Sequence, residues 1–187
     1  MILDVGSGNS PNLSADVLLD KDVWGEKAER ASQPFKRLDG KLIVCGDIEN
    51  LPFKNKSFSF IIASHVIEHL GNPGKGCREL MRVGEKGTIV SPLPFFEQAG
   101  TGGWPGHKWY VWIDQSRRLI FECFDLSNWF KVCDCKEGCF VRLLFELGLK
   151  DKLQALVWDR KREDGTVARW TVFEWKGSFQ YEVRRNE

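Results

Sequence analysis

The sequence has no long hydrophobic run, no surplus of either charge, and no internal repeat or low-complexity tract. No apolar run approaches the roughly 20 residues of a membrane-spanning helix, so we expect no membrane partner. Its 27 basic and 26 acidic residues give a formal net charge of +1, which provides no electrostatic case for a nucleic-acid partner. The N-terminus has neither a basic flank nor a cleavage-like site, so we expect a cytoplasmic protein without a signal peptide.

The size and composition of the chain are those of a globular protein. The chain has 187 residues, of which 42% are hydrophobic and 28% charged. That length suits one well-buried domain better than two, so we expect a single domain over residues 1–187. In a reducing compartment the six cysteines would be thiols or metal ligands rather than disulfides.

The first residues combine a short apolar strand with a glycine-rich turn. Ile2–Val5 is followed by Gly6 and Gly8, which let a backbone turn sharply and approach a ligand closely. A second apolar run ends at Asp20, whose carboxylate is suited to accept hydrogen bonds from a ribose diol. Asp20 follows Gly8 by only twelve positions, against about 20 in the dinucleotide fingerprint, and Pro11 falls where a crossover helix should begin. The spacing therefore favours a ligand with a ribose but without phosphates.

The rest of the first half alternates between strands and helices. This alternation is typical of a mostly parallel sheet covered on both faces, so we predict an α/β fold. The predicted strands are Ile2–Val5, Asp16–Leu19, Lys41–Cys45, Ser59–Ala63 and Thr88–Val90, and the predicted helices are an irregular one over Val23–Ser32 and one over Gly76–Val83.

The pattern changes after the fifth predicted strand. An aromatic insertion over residues 93–126 contains a predicted hairpin of Lys108–Trp112 with Arg118–Phe121. Such an insertion would lie over the carboxyl edge of the sheet as a lid or substrate wall. Trp104, Trp109, Tyr110 and Trp112 would either line that wall or pack within the hairpin. The tail predicts a helix, Cys139–Leu147, and a hairpin of Ala155–Trp158 with Ala168–Trp175.

Four segments follow one another in a characteristic order over residues 2–92. They are residues 3–11 (LDVGSGNSP), 15–20 (ADVLLD), 46–53 (GDIENLPF) and 57–70 (SFSFIIASHVIEHL). Together they resemble class I S-adenosylmethionine-dependent methyltransferases, and most closely the type-11 methyltransferase domain. The resemblance implies a Rossmann-like, seven-stranded, mostly parallel sheet with a C-terminal antiparallel hairpin, and S-adenosylmethionine as the cofactor.

The resemblance also implies cofactor-binding residues. Asp4, Gly6, Ser7 and Gly8 would surround the methionine part of the cofactor. Asp20, next to Lys21, would bind the ribose hydroxyls, and Asp47 with Ile48 would contact the adenine. Ser64 and His65 would lie beneath the sulfonium. The chain departs from the family pattern at Ser10, which replaces a glycine, and in lacking a helix before the first strand.

Two histidines are candidate catalytic residues. His107 lies in the aromatic insertion, and an imidazole with a pKa near 6.5 suits proton removal at neutral pH. An exposed loop histidine is the alternative interpretation. His65 would shape the site near the sulfonium or act as the base.

Metal binding is not predicted. His65-Val66-Ile67-Glu68-His69 matches an inverted zinc-protease motif, but Gly71 ends any helix soon afterwards and a third ligand would have to come from elsewhere. Cys123, Cys133, Cys135 and Cys139 lack the usual zinc-knuckle spacing, and whether they bind a metal is left open.

The sequence therefore predicts a methyltransferase that acts on a small-molecule acceptor by in-line displacement. A cofactor-binding module that is non-catalytic, or that needs a partner, is the first alternative. A nicotinamide-dependent oxidoreductase is the second, and the short interval between Gly8 and Asp20 argues against it. The acceptor and the oligomeric state are not encoded in any motif we recognise.

Overall fold

A computed structural model describes residues 1–25, 33–94, 106–123 and 170–185. These residues form two β-sheets, an α-helix and a 3₁₀ turn. The strands are β1 (Ile2–Val5), β2 (Val17–Asp20), β3 (Leu42–Cys45), β4 (Phe60–Ser64), β5 (Lys86–Pro92), β6 (Trp109–Ile113), β7 (Leu119–Cys123), β8 (Trp170–Lys176) and β9 (Tyr181–Arg184); the helix is α1 (Pro73–Val83) and the 3₁₀ turn is Ile67–His69.

The main sheet has the order β3-β2-β1-β4-β5-β8, with β8 antiparallel and the other strands parallel. From β1 the chain adds β2 and β3 on one side, and β4 and β5 on the other. The strand order thus reverses between β1 and β4, where a Rossmann-like sheet opens a ligand crevice at the carboxyl ends of its strands. This position defines where a functional site is expected.

The predictions for the first half are confirmed to within a few residues. All five predicted strands are present, with bounds shifted by at most two residues. Helix α1 begins three residues before its predicted start at Gly76, because the Asn72 side chain accepts a hydrogen bond from the Lys75 amide and Pro73 occupies the first turn. Cys77, Leu80 and Val83 lie on its buried side.

The aromatic insertion forms the predicted hairpin. β6 pairs antiparallel with β7, and β9 joins β7 in parallel to complete a three-stranded second sheet. The second sheet contacts α1, where the Tyr181 hydroxyl donates to the Gly74 carbonyl at 3.1 Å. Trp109, Val111 and Phe121 share one hydrophobic cluster with Leu3 and Leu80, so both sheets contribute to a common core.

The C-terminal part contains one predicted strand and one that the sequence did not predict. β8, which overlaps the predicted strand Ala168–Trp175, is antiparallel beside β5, whereas β9 pairs with β7 in the second sheet. Within the described ranges the main sheet has six strands, and the predicted seventh is not confirmed. The predicted strand Ala155–Trp158, the helix Cys139–Leu147 and most of Val23–Ser32 lie outside the described residues. No helix in the described segments is long and apolar enough to span a membrane.

Candidate functional site

The turn after β1 has a backbone that requires glycine. Gly6 and Gly8 adopt φ angles of 66° and 51°, in the left-handed region that other residues rarely occupy. A Cβ on Gly6 would also lie 2.7 Å from the Cβ of Val66, which follows β4. The turn after β1 and the segment after β4 are therefore in close contact at the point where the strand order reverses.

Asp20 links the end of β2 to this turn. Its Oδ2 accepts a hydrogen bond from the Gly8 amide at 2.9 Å, and its Oδ1 accepts one from the Asp22 amide at 3.0 Å. The Gly6 amide donates to the Leu19 carbonyl at 2.7 Å. Asp20 therefore has a structural role, and the same bonds fix its carboxylate at the tip of β2.

Ser7, between the two glycines, is almost fully buried at 5% exposure. Its hydroxyl has no hydrogen-bond partner within the described part of the chain. Buried hydroxyls are normally hydrogen-bonded, so an unpartnered one in a glycine turn fits a site that a polar ligand completes.

Asp4 is the most perturbed carboxylate at this edge of the sheet. Only 3% of it is exposed, and burial raises its pKa to about 6. The Asn12 amide, which donates to Asp4 Oδ2 at 2.7 Å, lowers the pKa, whereas the nearby charge of Asp20 raises it. Asp4 and Asp20 thus concentrate negative charge beside the glycine turn, where a cationic ligand would be favoured.

Asp47 lies after β3 and is paired with Lys21. Lys21 Nζ donates to Asp47 Oδ2 at 2.9 Å, and the Glu49 amide donates to Oδ1 at 2.9 Å. Burial alone would raise the pKa of Asp47, but these hydrogen bonds and the Lys21 charge outweigh it, so the pKa is lowered. The neighbouring Ile48 side chain is buried. The Lys21–Asp47 pair lies at the carboxyl edge of the main sheet, on the side of β3, away from the glycine turn after β1.

Ser64 ends β4, and His65 follows it with a φ of 54°, unusual for a residue other than glycine. The His65 amide donates to the Val90 carbonyl of β5 at 2.8 Å, which holds the turn against the sheet. The imidazole is 41% exposed and packs edge-on against Trp170, with ring centroids 4.5 Å apart. His65 is therefore placed by backbone contacts with its ring at the surface of the crevice.

His107 lies next to the segment that follows β4. The Lys108 amide donates to the Glu68 carbonyl at 2.8 Å, and the His107 ring packs against His69 with centroids 4.6 Å apart. Sequence reasoning did not anticipate this contact, because it joins residues far apart in the chain. The only available signal was the His65–His69 motif.

The aromatic residues of the insertion mainly pack inside the protein. Trp109 and Tyr110 are buried, and Trp109 Nε1 donates to the Leu70 carbonyl at 2.6 Å. Trp112 packs against the Arg184 guanidinium at 5.6 Å from the ring centroid. Of the two alternatives left open by the sequence, the described residues support packing within the hairpin. Trp104 lies outside the described residues.

Comparisons with known proteins give a family match for the first half of the chain. A family model described as a methyltransferase domain, of the type-11 class, matches residues 3–91, close to half of the chain. Residues 3–91 are therefore similar to class I S-adenosylmethionine-dependent methyltransferase domains. Within that class the match is to the type-11 family, and S-adenosylmethionine is the cofactor that this match supports. No curated protein sequence gives a significant match.

Several solved structures are similar to the chain at low identity. A methyltransferase from Thermotoga maritima is 20% identical over 51% of this chain and 45% of its own, with a TM-score of 0.38. One from Aquifex aeolicus is 20% identical over 50% of this chain and 56% of its own, with a TM-score of 0.36. YcgJ from Bacillus subtilis is 16% identical over 92% and 86%, with a TM-score of 0.43. The chain thus spans less than half of the Thermotoga protein, and at these scores the similarity carries no functional weight.

Proposed function

We propose that this protein transfers a methyl group from S-adenosylmethionine to a small-molecule acceptor. The observation that carries the proposal is the edge at which β1 and β4 diverge. There the left-handed Gly6–Gly8 turn is hydrogen-bonded to Asp20, which lies at the tip of β2. The match of residues 3–91 to the methyltransferase domain supports the same site.

We expect the residues at this edge to bind the parts of the cofactor in order. Asp4, Gly6, Ser7 and Gly8 would hold the methionine part, and the Ser7 hydroxyl, which has no partner among the described residues, is available as a hydrogen-bonding group. The carboxylate of Asp20, beside Lys21, would accept hydrogen bonds from the ribose diol. Asp47 and Ile48 would contact the adenine. Ser64 and His65 would lie beneath the sulfonium, at the mouth of β4.

The cofactor supplies an activated methyl group when bound, so the protein mainly has to align it with the acceptor and exclude water. Asp4 and Asp20 supply negative charge on the side where a sulfonium would lie, which favours a cationic ligand. His65 or His107 would accept the proton of a hydroxyl or amine acceptor. An acceptor that is already nucleophilic needs neither.

The test is calorimetric titration of the purified chain with S-adenosylhomocysteine and, separately, with NAD. We expect binding of the former only. Asp20→Asn and Asp47→Asn should each weaken it by about 10- to 100-fold, because each removes a charged acceptor of a hydrogen bond. Asp16→Asn is the matched control, since Asp16 lies at the opposite end of β2, where it accepts from the Ile2 amide.

The proposal fails if folded Asp20→Asn and Asp47→Asn proteins bind S-adenosylhomocysteine as tightly as the parent, or if NAD binds instead. Transfer of a labelled methyl group in a cell extract then separates an enzyme from a binding module. Binding without transfer, restored by adding an extract fraction, would favour the partner-dependent module.

A further inference from the structure

We propose that Glu68, His69 and His107 form a binding site for a divalent transition-metal ion. The inference does not rest on methyl transfer, since it uses residues of the 3₁₀ turn and of the aromatic insertion. All three histidines of the chain, His65, His69 and His107, lie around the Glu68 carboxylate. His69 and His107, brought together from distant positions in the chain beside one acid, form with Glu68 the donor set of a metal site.

Glu68 provides the independent observation. Its side chain is fully buried, and neither carboxylate oxygen has a hydrogen-bond partner among the described residues. His65 Nδ1 lies 3.5 Å from Oε1, too long for a good hydrogen bond. Buried carboxylates are normally paired, hydrogen-bonded or bound to a metal, so these oxygens call for a cationic partner.

The donor atoms are close enough to share one ion. One ligand atom from each of Glu68, His69 and His107 lies within 4.8 Å of the others. Ligand atoms around tetrahedral zinc are about 3.4 Å apart, given bonds of about 2.0–2.1 Å. Side-chain movements of about 1 Å would therefore close the site around an ion.

The surroundings hold His69 and His107 in the way that metal-binding histidines are held. His69 Nδ1 lies 3.1 Å from the Gly106 carbonyl. A carbonyl can only accept, so this bond places the proton on Nδ1 and leaves the lone pair of the neutral ring on Nε2, the state in which imidazole binds a metal. The bond from the Lys108 amide to the Glu68 carbonyl fixes the chain on the other side of His107.

The donor set indicates the class of ion. Two imidazoles and one carboxylate are typical of zinc and non-haem iron sites, with at least one position left for water or substrate. The set also differs from the sequence motif: His107 from the insertion supplies the third ligand, and His65 is outside the set. The prediction of no metal at this motif rested in part on the need for a third ligand from elsewhere in the chain.

Cobalt(II) titration, followed by visible absorption, tests the site. The parent protein for this test carries Cys133→Ser, Cys135→Ser and Cys139→Ser, which remove competing thiols. Zinc equilibrium dialysis gives the stoichiometry. We expect one ion per chain, no cobalt–thiolate band, and binding at least about tenfold weaker in Glu68→Gln and His107→Gln. His65→Gln is the matched control and should keep the affinity of the parent.

His107→Gln keeps the test decisive if Glu68→Gln does not fold, because His107 is only partly buried in a loop. Equal cobalt affinity in His107→Gln and the parent overturns the proposal, as does the absence of binding or a loss seen only in His65→Gln. Titration of the same proteins with S-adenosylhomocysteine distinguishes the two proposals, since the metal-site variants should retain cofactor-product affinity.

Discussion

Asp4 is a carboxylate whose ionisation is strongly opposed by burial. It is buried near the end of β1, and within the described part of the chain its carboxylate accepts one hydrogen bond, from the Asn12 amide. The pKa of about 6 means that the folded protein resists ionising this group over a range in which the unfolded chain ionises it readily. A negative charge at this position is favourable only when something cationic lies beside it.

The contribution of Asp4 to stability should therefore fall as the pH rises through this range. The folded state keeps the Asp4 proton between the ordinary pKa of 3.8 and about 6, whereas the unfolded state loses it. The folded state then binds more protons, so the free energy of unfolding decreases with rising pH, by about 3 kcal/mol in total. Asp4→Asn keeps an acceptor for the Asn12 amide and should remove this slope.

Urea unfolding of both proteins from about pH 4 to about pH 7 measures the effect. Above about pH 6 the Asp4→Asn protein should be the more stable of the two. Parallel stability curves for the parent and the variant would contradict the assignment of the slope to Asp4.

At the scale of elements, the main sheet was predictable because its signals are local. Each of β1, β2, β3 and β5 is a short run bounded by glycine, proline or an acidic residue, and the parallel pairing follows from the alternation with other elements. β4 is recognised by its apolar run alone. The carboxyl ends of these strands necessarily meet at one edge. The proximity of Asp4 and Asp20 is thus a consequence of topology, and sequence alone could indicate it.

The partners of β9 and His107 were not predictable in the same way. β9 pairs in parallel with β7, which is more than fifty residues away, and no local pattern selects that neighbour. The contact of His107 with His69 depends on how the second sheet packs on α1 and on the 3₁₀ turn. Such contacts depend on tertiary packing rather than on hydrophobic period.

The glycine turn after β1 gives a prediction for one element. Gly6→Ala combines backbone strain at φ 66° with a collision against Val66 and should lower the free energy of unfolding by about 2–4 kcal/mol. Gly40→Ala is the matched control, because Gly40 has a φ of 74° with nothing within 4 Å of the added Cβ. It should cost only about 1 kcal/mol.

Thermal unfolding and S-adenosylhomocysteine titration check this pair. The difference between the two variants in free energy of unfolding isolates the contact between the turn and the segment after β4. Only Gly6→Ala should weaken ligand binding. Equal destabilisation would mean that Val66 moves aside without consequence.

At the scale of the whole molecule, the two sheets are joined through the segment that follows β4. Lys108 and Trp109 of the insertion donate to the Glu68 and Leu70 carbonyls, and the Thr171 hydroxyl of β8 donates to the Val111 carbonyl at 2.9 Å. The hydrophobic cluster also includes residues of both sheets. We therefore propose that the described residues unfold as one cooperative unit, as expected of a single domain.

Trp109 lies at the contact between the two sheets, so its substitution tests this proposal. Trp109→Phe keeps an aromatic ring but removes the donor to the Leu70 carbonyl, so it should lower the free energy of unfolding by about 1–3 kcal/mol. It should also weaken cobalt binding, because the bond to Leu70 helps to hold His107 beside Glu68. Trp112→Phe is the control, since Trp112 is only partly buried and packs on Arg184.

Tryptophan fluorescence and far-ultraviolet circular dichroism should give coincident unfolding transitions in both proteins. A first transition by fluorescence that leaves the dichroism unchanged would show that the second sheet unfolds independently of the main sheet.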